Sequence, residues 1–193
     1  LLVRSAQQHE VYLACPATAS QTAAMQEHFG PRVKRIVTVP PPRRRPVWRR
    51  MLGTLLDPAP DLAYRNYQPQ LAVAIRRDLS DVAMDVVHLV GLESVGALMG
   101  PDWAPPPAKA IVVDEVNAEH VLQQRAQRVE LREPRRWPGA VYSWIQARKL
   151  RRYERRALVS AGRVTSVSPG DAAILHRLAP GVVIDVVPNG VDT

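Results

Sequence analysis

Residues 114–120 read Asp-Glu-Val-Asn-Ala-Glu-His and concentrate more chemistry than any other stretch of the chain. Asp114, Glu115, Asn117, Glu119 and His120 supply carboxylate, amide and imidazole groups within seven residues. Donors and acceptors of this kind, fixed on a rigid element, suit the hydroxyls of a carbohydrate. Asn117 has a second reading, as the N-cap of a helix over 118–129, with Glu119 complementing the helix dipole. The two roles are compatible. A second set, His88, Gly91 and Glu93, follows another apolar run, and His88 reads either as a hydrogen-bonded core residue or as part of a site. A third concentration is basic. Arg148, Lys149, Arg151, Arg152, Arg155 and Arg156 place six cations in nine residues, with Glu154 the only acid among them. That set fits a solvated helix face, or attraction to phosphate or anionic lipid.

These groups need elements to position them. Residues 84–90 and 109–114 are short, β-branched and apolar, which predicts buried parallel strands. The run over 84–90 is nearly continuous, so it is expected to be central and covered on both faces. Both polar sets fall at the carboxyl ends of these strands, where ligands bind in open α/β sheets. Residues 163–187 read as one strand–helix–strand unit. Ser168 is the N-cap, Pro169 sits at the first helical position, Asp171 is in the first turn, and Pro180-Gly181 ends the helix. Upstream, the spacing predicts the end of a helix over 1–8, a strand over 9–15, a helix over 17–29 and a strand over 33–39. Alternation of basic and apolar residues puts that last strand near a sheet edge. A helix over 69–79 carries Leu71, Ile75 and Leu79 on one face. A long helix over 139–161 has its apolar seam at Ala147, Leu150, Tyr153 and Ala157. The fold class is α/β, a Rossmann-like parallel sheet flanked by helices.

Two segments stand apart. Residues 40–46, Pro-Pro-Pro-Arg-Arg-Arg-Pro, break regular structure and read as a solvated connection or a flexible basic lip. Residues 47–56 form a short helix with Trp48, Met51, Leu52 and Leu55 at helical spacing and Arg49 and Arg50 turned away. It either packs on the domain or lies on a membrane surface. Residues 103–107 are a proline-rich loop.

Composition sets outer limits. Apolar residues make up 46% of 193, enough for one domain with a core. The lone Cys15 excludes a disulfide within the chain and fits a reducing cytosol as a small buried hydrophobe. The net charge of +8 favours anionic partners without choosing among them. Aromatics at 5%, with no nucleic-acid-reading motif, disfavour nucleic acid. No Walker, dinucleotide-binding, zinc-protease or paired-cysteine motif is present.

Four segments in order carry a family resemblance: Asp85-Val86-Val87-His88 with Gly91, Asp114 to Glu119, the basic run ARKLRRYERRAL at 147–158, and VTSVSPGDAAILHRLAP at 164–180 followed by VVPNGVDT. Together they resemble family-4 glycosyltransferases of the GT-B type, most nearly the sugar transferases of bacterial exopolysaccharide systems. The resemblance implies retaining transfer of a sugar from a nucleotide-sugar donor to a saccharide or lipid-linked acceptor, with no metal or other cofactor. It implies that residues 1–187 are the N-terminal, acceptor-binding lobe and that 188–193 begin the interdomain linker, with Pro188, Asn189, Gly190 and Asp192 at the crossover. The acceptor-binding set would be Gly91, Glu93, Glu115, Asn117 and Glu119. Val116 stands where the subgroup usually carries histidine, so the candidates for a catalytic role become His88, His120 and Glu119. Relatives open with a strand and a Gly-rich loop and continue into a second lobe. Here the chain starts at Leu1 with what reads as a helix end, so the first strand and the C-terminal lobe are expected to be missing. The expected consequences are a gap in the sheet, marginal stability and no turnover by this chain alone. The implied location is cytoplasmic and peripheral at the inner face of a membrane. The competing expectation is a basic membrane-surface or nucleic-acid-binding module without catalysis.

Overall fold

A computed structural model describes residues 2–43, 45–64, 68–98 and 108–190. The proline-rich loop at 103–107 and the linker residue Asp192 lie outside the described residues. The elements are α1 (Leu2–Ser5), β1 (Tyr12–Pro16), α2 (Ala19–Phe29), β2 (Arg35–Val39), α3 (Val47–Leu56), α4 (Pro69–Asp78) and β3 (Met84–Val90). They continue with α5 (Leu92–Leu98), β4 (Ala108–Glu115), α6 (Glu119–Glu130), α7 (Trp137–Ser160), β5 (Arg163–Ser166), α8 (Pro169–Leu178) and β6 (Ile184–Val186). Every strand pair is parallel, and helices flank the sheets. The class is α/β and Rossmann-like, as the alternation of strand and helix patterns predicts.

Local signals set several boundaries. Thr18 caps α2 in a reciprocal capping box with Gln21. Ser168 accepts from the Asp171 amide at the start of α8, and Pro169 occupies the first turn. Gly91, at φ 75°, makes the turn from β3 into α5. A Cβ on Gly96 would stand 2.7 Å from the Ala63 carbonyl oxygen and 2.9 Å from the Tyr153 hydroxyl, so α5 packs closely against its neighbours there.

The strands form two sheets, β1-β2 and β3-β4-β5-β6, rather than one. Both feed one core: Val37 and Val39 of β2 join Leu71, Ala74 and Ile75 of α4 with Leu89 of β3 and Val113 of β4. A second apolar cluster joins Val164 of β5 to Leu158, Leu175, Leu178 and Ala118. Strand order β3 to β6 follows chain order, so each crossover steps in the same direction. Connections of one hand then leave their helices on one face. The residues that contact α5, α7 and α8, namely Leu89, Val113 and Val164, all point to that face.

The opposite face corrects an expectation. Strand β3 is at the edge of its sheet, not central, and Val86 and Val90 are 54% and 58% exposed. Its apolar sequence is explained on one side only, by Val87 and Leu89 in the core. The two sheets share a core but no ladder. Helix α2 lies on the other side of the small sheet, where Thr22 bonds Thr38 at 3.1 Å and Cys15 meets Met25.

Core burial makes a direct prediction. Leu175 is 0% exposed and Leu55 is 74% exposed. Leu175→Ala should lower stability by about 3 kcal/mol. Leu55→Ala should stay within about 0.5 kcal/mol of the parent. Urea denaturation midpoints of the two variants measure the contrast.

Candidate functional site

The pleat divides the polar run at the end of β4. Successive strand residues point to opposite faces, so Asp114 and Glu115 part company. Asp114 points to the open face. There Thr165 of β5 donates to its Oδ1 at 2.8 Å, and His88 Nε2 of β3 lies 4.0 Å from its Oδ2. Register explains the grouping: Val90 pairs with Asp114, which pairs with Thr165, while His88 pairs with Val112. The result is a row of imidazole, carboxylate and hydroxyl across three strands, near their carboxyl ends, on the face that α5 to α8 leave uncovered. His88 is exposed and Asp114 half-buried.

The turns after these strands sit at the same end. The Gly91 amide donates to the Asp114 carbonyl oxygen at 2.9 Å, tying the β3 turn to β4. A Cβ at Gly91 would come within 2.9 Å of Glu93 Oε2, so that carboxylate curls back over the turn. Val116 and Asn117 are exposed. Pro188, Asn189 and Gly190 follow β6 and are exposed at this edge too, with the Val187 amide still bonded to the Ser166 carbonyl at 2.8 Å. His88, Gly91, Glu93 and Asn117 are therefore brought to one end of the sheet.

Glu115 and His120 go elsewhere, which corrects their assignment as surface ligands. Glu115 is 1% exposed and lies under the helices. His120 is buried, with Nδ1 against Glu154 Oε2. Glu154 is itself 0% exposed, so the one acid of the basic run is not on the charged face of α7. Its other oxygen, Oε1, accepts from the Glu119 amide at 2.9 Å. Asp171 of α8 lies 3.5 Å from the Ala118 amide. The N-terminus of α6 is thus held by carboxylates from α7 and α8, which suits the positive end of a helix. Asn117 is not the cap: the N-cap position is Ala118, and no side chain of α6 itself fills it. Glu119 is in the first turn and half-buried.

Burial first, and then the nearby carboxylates of Glu154, Glu119, Glu93 and Asp114, push the Glu115 carboxyl well above the ordinary 4.5. The Tyr153 phenol is likewise raised by burial and by Glu115 and Glu93. Among the described residues, Glu115 Oε1 and the Tyr153 hydroxyl are buried polar atoms with no hydrogen-bond partner. A carboxyl in such surroundings is favoured in its neutral form.

Sequence reasoning missed two of these residues. Glu154 is in helical phase with Ala147, Leu150 and Ala157, all buried, and that phase was the signal. Thr165 alternates with Val164 and Ser166, which are buried, and so must face the other way. The basic helix also loses a member. Lys149 turns inward to donate to the carbonyls of Gly53, at 3.1 Å, and Asp57 at the end of α3. No cluster of three or more metal-ligating side chains occurs among the described residues.

Two predictions follow from the buried acids. Glu154→Ala leaves the His120 ring and the Glu119 amide without their acceptor, at about 1–3 kcal/mol each. It should lower stability by about 2–4 kcal/mol, and Glu154→Gln by less, since an amide oxygen still accepts; thermal or urea unfolding reads both. For Glu115, the folded-state value is raised, so its contribution is complete below 4.5 and declines as pH rises through the folded value. Glu115→Gln should match the parent in acid and become progressively more stable than it as pH rises above 4.5. Unfolding midpoints across pH test this, and parallel profiles for the two proteins would contradict it.

No protein-family model, curated protein or solved structure matches the chain.

Proposed function

We propose that this chain is the acceptor-side lobe of a retaining glycosyltransferase that moves a sugar from a nucleotide-sugar donor to a saccharide or lipid-linked acceptor. The observation that carries the reading is the open-face row of His88, Asp114 and Thr165, with Gly91 and Asn117 at the same end of the sheet. The sequence resemblance over four segments supplies the class of reaction. The position of the row at the carboxyl ends of parallel strands, where ligands bind in open α/β sheets, supports this as the acceptor side.

In this reading each group has a task. Thr165 and His88 flank the Asp114 carboxylate, with the imidazole Nε2 4.0 Å from it on the neighbouring strand. His88 is the group placed to accept a proton from an acceptor hydroxyl. Asn117, next to the pinned start of α6, offers both a donor and an acceptor to a sugar. Gly91 allows close approach of the ligand to the backbone. Binding of the donor diphosphate, and stabilisation of its departing charge, fall to the second lobe that the resemblance implies.

Saccharide binding to the full chain tests the proposal. Saturation-transfer NMR with a panel of neutral mono- and disaccharides should give signals, and His88→Ala and Asn117→Ala should each weaken binding about tenfold, or about 1.4 kcal/mol. Lys109→Ala, an exposed change at the amino-terminal end of the same sheet beside Asp85, should leave binding unchanged. Absence of saccharide binding, or equal loss in all three variants, would overturn the reading.

A further inference from the structure

Helix α3 is turned inside out. Val47, Trp48, Met51, Leu52, Leu55 and Leu56 occupy about half of its circumference, at 100° per residue, and all six are 50–75% exposed. The side that meets the rest of the protein is polar, not apolar. Arg50 donates to Asp61 at 2.8 Å and to the Tyr142 hydroxyl at 3.3 Å. Thr54 accepts from Gln146 at 2.9 Å, and Gln146 Oε1 accepts from the Asp61 amide at 2.8 Å. Lys149 closes the C-terminus of the helix through the Gly53 and Asp57 carbonyls. Arg50 is turned away from the apolar residues, as expected, and of the two alternatives for the apolar side, packing on the domain is the one the structure does not show.

We infer that α3 docks flat on an anionic lipid surface, with its apolar half in the acyl–headgroup boundary and its polar underside fastened to α7. Three features favour lipid over another occupant. Cations border the apolar half, as they do on helices that lie in a membrane interface. Arg49 sits on the boundary beside Leu56, Arg45 lies in the segment just before the helix, and Arg43 is exposed upstream of it. Next, an open groove of about 500 Å³ runs along this boundary, lined by Trp48, Leu52 and Leu56 with Arg45 and Arg49, and by Asp57, whose carboxylate accepts from the Ala59 amide and the Tyr64 hydroxyl. A groove with an apolar floor and guanidinium rim matches a phosphate headgroup with its attached chain. Last, Trp48 lies beneath the Arg49 guanidinium, 5.1 Å from the ring centroid. An aromatic ring with a polar neighbour is suited to the headgroup level. The charge of the whole chain, +8, has the right sign for such a surface. No helix among the described residues is long and apolar enough to cross a membrane, so docking rather than insertion is the mode this helix can support. The inference does not depend on the saccharide reading, because none of its residues belongs to the His88–Asp114–Thr165 row.

Vesicle flotation of the full chain is the test. At low salt the protein should float with phosphatidylglycerol-containing vesicles and much less with phosphatidylcholine alone. Its tryptophan emission should shift to shorter wavelength on binding, and the shift should shrink in Trp48→Ala. Leu55→Asp/Leu56→Asp should reduce binding at least tenfold while leaving the circular dichroism spectrum unchanged, since both side chains are exposed in the free protein. Arg45→Gln/Arg49→Gln should reduce binding to the anionic vesicles selectively and leave a smaller, salt-insensitive remainder. No flotation by the parent protein would overturn the inference. So would concentration-dependent dimerisation that the aspartate pair abolishes without any vesicle binding, because the apolar face would then belong to a second copy. A folded aspartate-pair variant that still floats like the parent would overturn it as well.

Discussion

The carboxylate of Glu154 joins two helices at one buried point. One oxygen receives the first amide of α6, the other meets His120, the next residue of the same helix, and the acid itself belongs to α7. A charge taken fully out of water is costly unless its lone pairs are occupied. Here both oxygens have partners, and the helix N-terminus adds a favourable field. The consequence reaches the surface. The two amides that follow Asn117, those of Ala118 and Glu119, are held from the start of α8 and from α7. Asn117 is exposed on a segment whose far end is anchored, which is the condition for an amide to act as a specific ligand rather than as a mobile side chain.

Alternation along β4 does the complementary work. One step of the chain separates Asp114, on the open face, from Glu115, sealed under the helices. The two adjacent carboxyl groups therefore meet opposite environments. Asp114 has the Thr165 hydroxyl and the His88 imidazole nearby and some access to water. Glu115 has apolar packing and several other acids, which favour its proton. One strand end thus holds a carboxyl group with access to water and a second shut away from it, where burial favours the protonated form.

The strands, their parallel pairing, the capped helix after β5 and the seam of α7 were legible because each depends on local chemistry: β-branched runs, Ser168 with Asp171, Ala147 with Leu150 and Ala157. What was not legible depends on partners far along the chain. The apolar run of β3 suggested burial on both faces, yet a parallel strand is sealed only if something covers each side, and no local pattern says which side is bare. Asn117 looked like a cap because capping residues usually come from the same segment; the acceptors came from 35 and 53 residues away. For helix α3 the spacing gives the extent, Val47–Leu56, and leaves the orientation open. Periodicity finds an apolar half but does not say which way it points, and here Arg50 and Thr54 had better partners inside than the leucines did.

Helix α7 connects the two surfaces that matter. Its 24 residues span about 36 Å at 1.5 Å per residue. Tyr142, Gln146 and Lys149 hold the underside of α3, and Glu154 holds the start of α6. Lys149 and Glu154 are five residues apart, about 7.5 Å along the axis. Over that distance an uninterrupted helix behaves as a rigid strut, and its attachments to α3 are side-chain hydrogen bonds with a defined direction. A lipid surface beneath α3 would therefore set the orientation of the α6 start, and with it Asn117, without any motion between domains.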